Sequence, residues 1–349
     1  MLNSFHSPSY QKTLIEIERF IQQEDSSDSD FSSLALRVFL YQLEQNSGYN
    51  NFCTLTNQRD PQSWQAIPAL TTDVFKLQPT PSCLSDEQVS RTFMTSGTTG
   101  ETRGNHHFRH TKLYDLSILT AWEQLDLPKP SKLFILTPPP EQAPHSSLSH
   151  MMETLRQAYC PEACYLIDND KLDPSPLLEA LAADQPISLL GTALGFLNLF
   201  EILPAPIQLP AGSWAMETGG YKGSGRTLSK QDLYDQFETM LAIPSNQIWN
   251  EYSMTELSSQ FYTRGIGQPH HAPHWMKIQV LDPETDQAVA AGEIGYLVIH
   301  DLANIDSVSA LRTQDLAIYH DPHSFTLVGR DPSALARGCS RSIDEALNQ

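Results

Sequence analysis

The 349-residue chain is poor in basic residues, with 22 lysines and arginines against 41 aspartates and glutamates and a formal net charge of −19. Nucleic acids and anionic membrane surfaces bind clustered positive charge, so this composition argues against both as partners. An acidic protein that binds a phosphate-rich ligand must place its few cations at the binding site. Short motifs that combine a cation with backbone donors are therefore the candidate sites for such a ligand.

Long apolar runs are also missing. The most hydrophobic stretch, 186–203, is interrupted by Asn198 and Glu201 and is too short and too polar to span a bilayer comfortably. The first residues show no basic segment followed by an apolar one, so no signal peptide is expected. The five cysteines are odd in number and scattered, which suits a reducing compartment better than a disulfide framework. We expect a cytoplasmic protein without a membrane span.

The pattern of apolar residues predicts an α/β fold. Helical periodicity covers 10–23 and 32–45, and a polar segment with prolines follows to about residue 90. From Thr92 onward, short β-like runs alternate with helical ones, which predicts mainly parallel sheets covered by helices. After Trp275 strands such as 276–281 follow one another and predict a smaller β-rich subdomain. The expected division is an N-terminal helical segment packed on the core (1–90), an α/β core (91–275), the β-rich subdomain (276–330) and a tail (331–349).

Residues 95–104 form a loop of glycines and hydroxyl side chains that ends with Arg103 and Gly104. Glycines let the backbone approach a ligand, and successive N–H groups in such a turn bind anions. The guanidinium of Arg103 suits phosphate oxygens. The loop lacks the Lys-Ser or Lys-Thr of a Walker motif, and ordinary solvated turns share its composition. The interpretation is a polyphosphate loop with these residues: Thr95, Ser96, Gly97, Thr98, Thr99 and Gly100.

Downstream motifs offer the remaining groups that a nucleotide needs. In the turn Gly219-Gly220-Tyr221-Lys222, small residues let a flat base lie against the backbone while Tyr221 stacks on it, although a plain turn has the same composition. Glu256 suits Mg²⁺, which takes one or two carboxylates plus substrate phosphates, or it is simply an acid at a helix start. Asp315 could accept hydrogen bonds from two vicinal hydroxyls.

In their order along the chain these motifs resemble those of the adenylate-forming superfamily, which includes acyl-CoA synthetases, peptide-synthetase adenylation domains and firefly luciferase. The matching segments are Ser-Gly-Thr-Thr-Gly at 96–100, Tyr-Ser-Met-Thr-Glu at 252–256, Arg-Thr-Gln-Asp at 312–315 and Gly-Arg-Asp at 329–331. The resemblance implies the superfamily's N-terminal domain fold, with ATP and Mg²⁺ as cofactors. Gln314 replaces the usual glycine, and Arg103 replaces the usual lysine. The residues implied for the nucleotide are the loop at 95–100, Gly219, Gly220, Tyr221, Tyr252, Thr255 at the α-phosphate, Glu256 at Mg²⁺, Asp315 at the ribose and Arg330.

The end of the chain is similar to one branch, the acyl-protein synthetase (LuxE-type) family. The sequence stops soon after Arg330, so the mobile C-terminal domain that carries a catalytic lysine is not expected. Lys222 or Arg103 could supply that charge at the phosphorus. The branch forms an acyl-AMP from a fatty acid, carries the acyl group on a cysteine near the C-terminus and passes it to a partner reductase. Cys339, between Arg337 and Arg341, matches that cysteine, and nearby positive charge lowers a thiol pKa. Without the resemblance, Cys339 would read as a bystander.

Other interpretations stay open at this point. An adenylate-forming ligase could pass the acyl group to CoA, an amine or a carrier protein, as phenylacetate-CoA ligases do with CoA. A catalytically inactive binding protein is also conceivable. The histidines fit no common zinc spacing; a pocket for the acid substrate is expected to include His107 or His106, Gly191 and His274.

Overall fold

A mixed sheet of twelve strands runs through the protein, whose computed structural model describes residues 9–95, 102–219 and 228–331. The helices are α1 (Tyr10–Ile21), α2 (Asp28–Gln45), α3 (Ser47–Leu55), α4 (Lys112–Gln124), α5 (Ser147–Tyr159), α6 (Ser175–Ala180), α7 (Ala193–Ile202) and α8 (Lys230–Leu241). The strands are β1 (Leu70–Thr71), β2 (Arg91–Met94), β3 (Asn105–Phe108), β4 (Leu133–Leu136), β5 (Cys164–Tyr165), β6 (Ile167–Asp168), β7 (Lys171–Leu172), β8 (Ser188–Thr192), β9 (Trp214–Thr218), β10 (Ile248–Tyr252), β11 (Phe261–Arg264), β12 (His270–His271), β13 (Met276–Leu281), β14 (Ile294–Asp301), β15 (Ala310–Asp321) and β16 (Ser324–Arg330). Short 3-10 turns lie at Trp64–Ala66, Thr72–Lys76, Asp86–Gln88, Leu181–Ala183 and Ser245–Gln247.

The large sheet has a parallel half and an antiparallel half. Strands β5, β4, β8, β9 and β10 pair in parallel, and β11, β12, β16, β15, β14 and β13 continue the sheet in antiparallel order. All four residues of β4 are buried, as expected for a parallel strand covered on both faces. The predicted α/β class with a helix-covered parallel sheet is confirmed.

The strands beyond Trp275 are hydrogen-bonded into the same sheet as the parallel strands. Strand β12 pairs with β11 on one side and with β16 on the other, so it joins the two halves. Hydrogen bonds thus run without interruption across the expected boundary between 275 and 276. The division of the chain into a core (91–275) and a β-rich subdomain (276–330) stays a prediction. The sheet itself continues across that boundary.

The N-terminal segment is attached to the far end of the sequence. Strand β1 pairs in parallel with Leu311 and Arg312 of β15. The side-chain amide of Gln42 in α2 donates to the carbonyl of Asn304 at 2.7 Å, and Ser309 N donates back to Gln42 at 2.9 Å. Side-chain and backbone hydrogen bonds therefore both fix this segment to β15 and to the loop that precedes it.

Helix α3 lies in the segment where the sequence showed only polar residues and prolines. Its start is capped by the Asn46 side chain, which accepts a hydrogen bond from Tyr49 N at 3.1 Å. Tyr49, Phe52 and Cys53 lie on its buried face. Packing of these three side chains stabilises a helix whose glycine and asparagines give it little intrinsic propensity.

Candidate active site

The base of the glycine-rich loop is held closed where β2 and β3 meet. Thr95 N donates to the carbonyl of Gly104 at 2.9 Å, and Gly104 N donates to the Thr95 hydroxyl at 2.8 Å. A Cβ on Gly104 would lie 3.1 Å from Thr95 Cγ2 and 3.2 Å from Phe75 Cβ, so glycine permits the close approach. Arg103 is exposed beside this closure. The loop members at 96–100 lie outside the described residues.

His106 links this hairpin to the Thr255-Glu256 segment. Its Nδ1 donates to the carbonyl of Thr255 at 2.8 Å, and the Ser307 hydroxyl donates to Nε2 at 3.1 Å. Because a carbonyl oxygen only accepts, the two contacts select the tautomer protonated at Nδ1. The ring is buried, and burial lowers its pKa to about 4. His106 is therefore a neutral connector at neutral pH.

His107 points to the other face of β3, as residue alternation along a strand requires. Its Nδ1 lies 2.9 Å from the Thr92 hydroxyl, and it is half-buried. The contact with the Thr255-Glu256 segment therefore belongs to His106. A role for His107 at the substrate stays a prediction.

The second half of the site is built around Asp315. The Tyr252 hydroxyl at the end of β10 donates to Asp315 Oδ2 at 2.7 Å. Asp315 lies opposite Arg330 in the β15–β16 register, and its backbone N donates to Thr313 Oγ1 at 3.1 Å. Burial and the Asp315 charge raise the pKa of Tyr252 well above its usual value, so Tyr252 stays protonated and donates. The predicted Tyr252, Asp315 and Arg330 are brought together.

Thr255 and Glu256 follow Tyr252 in the same segment. Glu256 is 8% exposed, and the side-chain amide of Asn304 donates to its backbone carbonyl at 2.9 Å. Gly219 directly follows β9, whose Thr218 pairs with Glu251 of β10. Gly219 thus lies at the same edge of the sheet as the end of β10. Gly220, Tyr221 and Lys222 lie outside the described residues, as does Cys339.

Gln314, which stands where the resemblance predicts glycine, fixes Arg330. The Arg330 guanidinium donates to Gln314 Oε1 at 2.6 Å, and Gln314 Nε2 donates to Asp73 Oδ2 at 2.6 Å. The departure from the motif therefore adds a bridge from Arg330 to Asp73 in the N-terminal segment.

Comparison with sequence models of known families identifies the family of this chain. The model described as acyl-protein synthetase, LuxE, matches residues 9–348. The chain belongs to this family. Membership supports ATP-dependent acid activation with acyl transfer by an AMP-forming ligase.

Individual relatives agree with the LuxE family. The long-chain-fatty-acid–luciferin-component ligase of Aliivibrio fischeri is 22% identical over 358 residues, which cover 95% of this chain and 91% of the relative. The open conformation of 2-hydroxyisobutyryl-CoA ligase, with 2-HIB-AMP and CoA, has a TM-score of 0.60 at 14% identity over 93% of this chain and 76% of that one. ATP-bound MatB from Rhodopseudomonas palustris has a TM-score of 0.48 at 17% identity over 72% of this chain. The match covers 50% of MatB, so this chain spans about half of that protein's length. The 2-hydroxyisobutyryl-CoA ligase supports the fold.

Gly191 and His274, the other two residues predicted for the substrate pocket, have packing and hydrogen-bonding roles in the structure. A Cβ on Gly191 of β8 would lie 2.6 Å from Leu136 Cβ, so the close approach of β4 requires glycine there. His274 Nε2 donates to the carbonyl of Phe20 at 2.6 Å, and its Nδ1 lies 3.1 Å from Gln124 Oε1. His274 thereby joins the ends of α1 and α4. Substrate contacts of both residues stay predictions.

Sequence reasoning missed two buried carboxylates in the strands that lead into the site. Glu217 of β9 is fully buried and pairs with Lys230 and the Tyr234 hydroxyl. Glu251 of β10 is 3% exposed. The available signal was an acidic residue inside an otherwise apolar strand, which is rare unless the charge is paired or protonated.

Among the residues described, no cluster of three or more histidine, cysteine or acidic side chains could hold a metal ion by itself. Nor does any helix within the described ranges have the length and apolar character to cross a membrane.

Proposed function

We propose that the chain activates a carboxylic acid of the fatty-acid class as an acyl-adenylate, using ATP and Mg²⁺, and then transfers the acyl group through a cysteine thioester to a partner protein. The observation that carries the proposal is the convergence of four separate motif segments. His106 joins the closed loop base to Thr255, and Tyr252 joins the same segment to Asp315 opposite Arg330.

In the first half-reaction, the substrate carboxylate oxygen attacks the α-phosphorus of ATP and pyrophosphate leaves. Thr255 would contact the α-phosphate, and Asp315, oriented by Tyr252, would accept hydrogen bonds from the ribose hydroxyls. Glu256 fits Mg²⁺ as a single protein carboxylate, since the ion completes its shell with phosphate oxygens and water. Coordination of this kind needs no preformed cage of protein ligands. Bound Mg²⁺ would neutralise phosphate charge as pyrophosphate leaves.

In the second half-reaction, the Cys339 thiolate attacks the acyl carbonyl, a thioester forms and AMP leaves. The partner then receives the acyl group from the thioester. The relative from Aliivibrio fischeri is named as a ligase of a long-chain fatty acid and a luciferin component, and this name supports an acyl acceptor for this chain. Arg103 or Lys222 would supply the positive charge at the phosphorus.

The test separates the two half-reactions. Pyrophosphate exchange is measured with a series of carboxylic acids, and covalent label from radioactive acid is measured before and after hydroxylamine. We expect Cys339→Ser to keep exchange and to lose hydroxylamine-sensitive label, while Cys164→Ser, at a half-buried cysteine, keeps both.

Three other results would change the assignment. Label retained on Cys339→Ser removes that cysteine as the carrier, and acyl transfer that requires CoA assigns the acceptor to CoA. Normal exchange in Lys222→Ala excludes Lys222 from adenylation.

A further inference from the structure

Asp73 in the N-terminal segment lies beside Gln314 because of the way β1 and β15 pair. The two strands run in parallel, with Thr71 opposite Arg312. Asp73 and Gln314 each follow two residues later, so the register brings the two positions together where β1 passes into the Thr72–Lys76 turn. The contact is direct, since Gln314 Nε2 donates to Asp73 Oδ2 at 2.6 Å. A side chain that belongs to none of the predicted motifs thus contacts a motif segment of β15.

The hydrogen bonds fix the orientation of the Gln314 side-chain amide. An ionised carboxylate only accepts and a guanidinium only donates. Gln314 Nε2 must therefore face Asp73, and Gln314 Oε1 must face Arg330, whose Nη2 donates to it at 2.6 Å. The other carboxylate oxygen, Asp73 Oδ1, accepts from Lys76 Nζ at 2.9 Å, so Asp73 itself is held on both sides. We call Asp73, Gln314 and Arg330 the Asp73 relay.

The Asp73 relay orients Arg330 through a neutral group. The atom that accepts from Arg330 Nη2 is an amide oxygen, so this contact does not neutralise the positive charge. Arg330 is exposed, and an exposed arginine side chain loses much rotamer freedom when it binds a ligand. Its guanidinium has five N–H donors in a planar fork that suits phosphate oxygens. A contact that holds this fork in place before the ligand arrives lowers the entropy lost on binding.

The position of the Asp73 relay connects it to the proposed nucleotide site. Arg330 lies opposite Asp315 in the β15–β16 register, and Asp315 accepts from the Tyr252 hydroxyl at 2.7 Å. Gln314 directly precedes Asp315, and its backbone carbonyl accepts from Asp331 N at 3.1 Å. A glycine at position 314 would have no side chain to join Arg330 to the N-terminal segment. The relay therefore depends on the residue by which this chain departs from the motif.

We infer that Asp73 is a positioning residue for ATP, which acts through Gln314 to hold the Arg330 guanidinium in the orientation that binds the nucleotide. The inference rests on the proposed function, and it makes the N-terminal segment part of the nucleotide site. A cation that is in place before ATP binds acts on the ground state and on the transition state alike. Loss of the relay should therefore weaken ATP binding and leave the chemical step unchanged.

The experiment measures kcat and the KM for ATP in pyrophosphate exchange, together with urea unfolding, for Asp73→Ala. We expect the KM for ATP to rise about 10-fold, the effect of one hydrogen bond to a charged group, while kcat stays within about 2-fold of the wild type. The control is Glu16→Ala. Glu16 is a partly buried carboxylate of the same N-terminal segment and contacts Arg37, an arginine outside the motifs, at 2.8 Å. Its KM for ATP should equal that of the wild type.

Two double variants test whether Asp73 acts through Gln314 and Arg330. Asp73→Ala added to Gln314→Leu, or to Arg330→Gln, should raise the KM for ATP no further, since each of these changes alone removes the contact that Asp73 orients. A further rise in either background overturns the inference. An unchanged KM in Asp73→Ala, or a loss confined to kcat and the free energy of unfolding, overturns it as well. Absence of exchange with any acid in the wild-type protein would instead overturn the proposed function itself.

Discussion

Replacement of His106 tests whether the glycine-rich hairpin and the Thr255-Glu256 segment work as one unit. In His106→Phe the Thr255 carbonyl and the Ser307 hydroxyl both lose their partner inside the protein. An unsatisfied buried group costs about 1–3 kcal/mol, so the two together should lower the free energy of unfolding by about 2–6 kcal/mol. Urea unfolding measures this loss.

Two further variants separate stability from positioning. In His106→Asn the side-chain amide nitrogen occupies nearly the place of Nδ1 and can still donate to the Thr255 carbonyl. In His106→Gln the amide reaches the position of Nε2 and the Ser307 hydroxyl instead. We expect His106→Asn to retain most of the kcat for pyrophosphate exchange and His106→Gln to lose about 10-fold, the effect of about 1.4 kcal/mol in the transition state.

The control is His300→Phe. His300 is equally buried, contacts Gln279 and Trp64, and lies on β14; within the described residues its hydrogen bond is to Gln279 and not to Thr255. It should lose stability but keep its exchange rate. Equal kcat values for His106→Asn and His106→Gln, or a loss in His300→Phe as large as in His106→Phe, would refute the positioning role.

Three predictions concern other parts of the fold. Gly191→Ala places a Cβ 2.6 Å from Leu136 Cβ and should cost about 1–3 kcal/mol in urea unfolding. Gly219→Ala, whose Cβ would meet no atom of the described residues within 4 Å, should cost far less, and equal costs would contradict the close-approach argument. Burial lowers the pKa of His300 from 6.5 to about 3, so its contribution to stability is full above pH 6.5 and declines as the pH falls toward 3. Between pH 7 and pH 5 the free energy of unfolding should therefore fall by about 2 kcal/mol less in His300→Phe than in the wild type. Parallel pH profiles of unfolding for the two proteins would argue against a buried neutral imidazole. Asp315→Asn keeps an oxygen for Tyr252 but removes the charge, and we expect the KM for ATP to rise about 10-fold; an unchanged KM would remove Asp315 from the ribose site.

Local signals in the sequence predicted much of the fold. The strand expected over 276–281 is Met276–Leu281, because apolar alternation and a following turn depend only on neighbouring residues. Helix α3 was not predicted, since its stability comes from tertiary packing of Tyr49 and Phe52. The insertion of β12 between β11 and β16 was not predictable either, since it depends on pairing between His270 and Phe325, far apart in sequence.

The candidate site was predictable to a similar extent. Motif order indicated Tyr252 and Asp315, and the structure joins them by a hydrogen bond. The sequence could not decide between His106 and His107, because the choice depends on which face of β3 meets Thr255. The burial of Glu251 escaped notice because it depends on the pairing of β10 with β9 and β11, which lie elsewhere in the sequence.

The attachment of the N-terminal segment to β15 has a consequence for how the chain folds. Gln42 and its acceptor Asn304 are 262 positions apart, and β1 has no partner in the described sheet until Leu311 and Arg312 are present. Contacts of such long sequence separation slow folding. During synthesis, Gln42 and β1 therefore lack these partners until nearly the whole chain has emerged, and this interval exposes the N-terminal segment to aggregation. A slower rate of synthesis at low temperature, or a chaperone that covers α2, should raise the yield of folded enzyme.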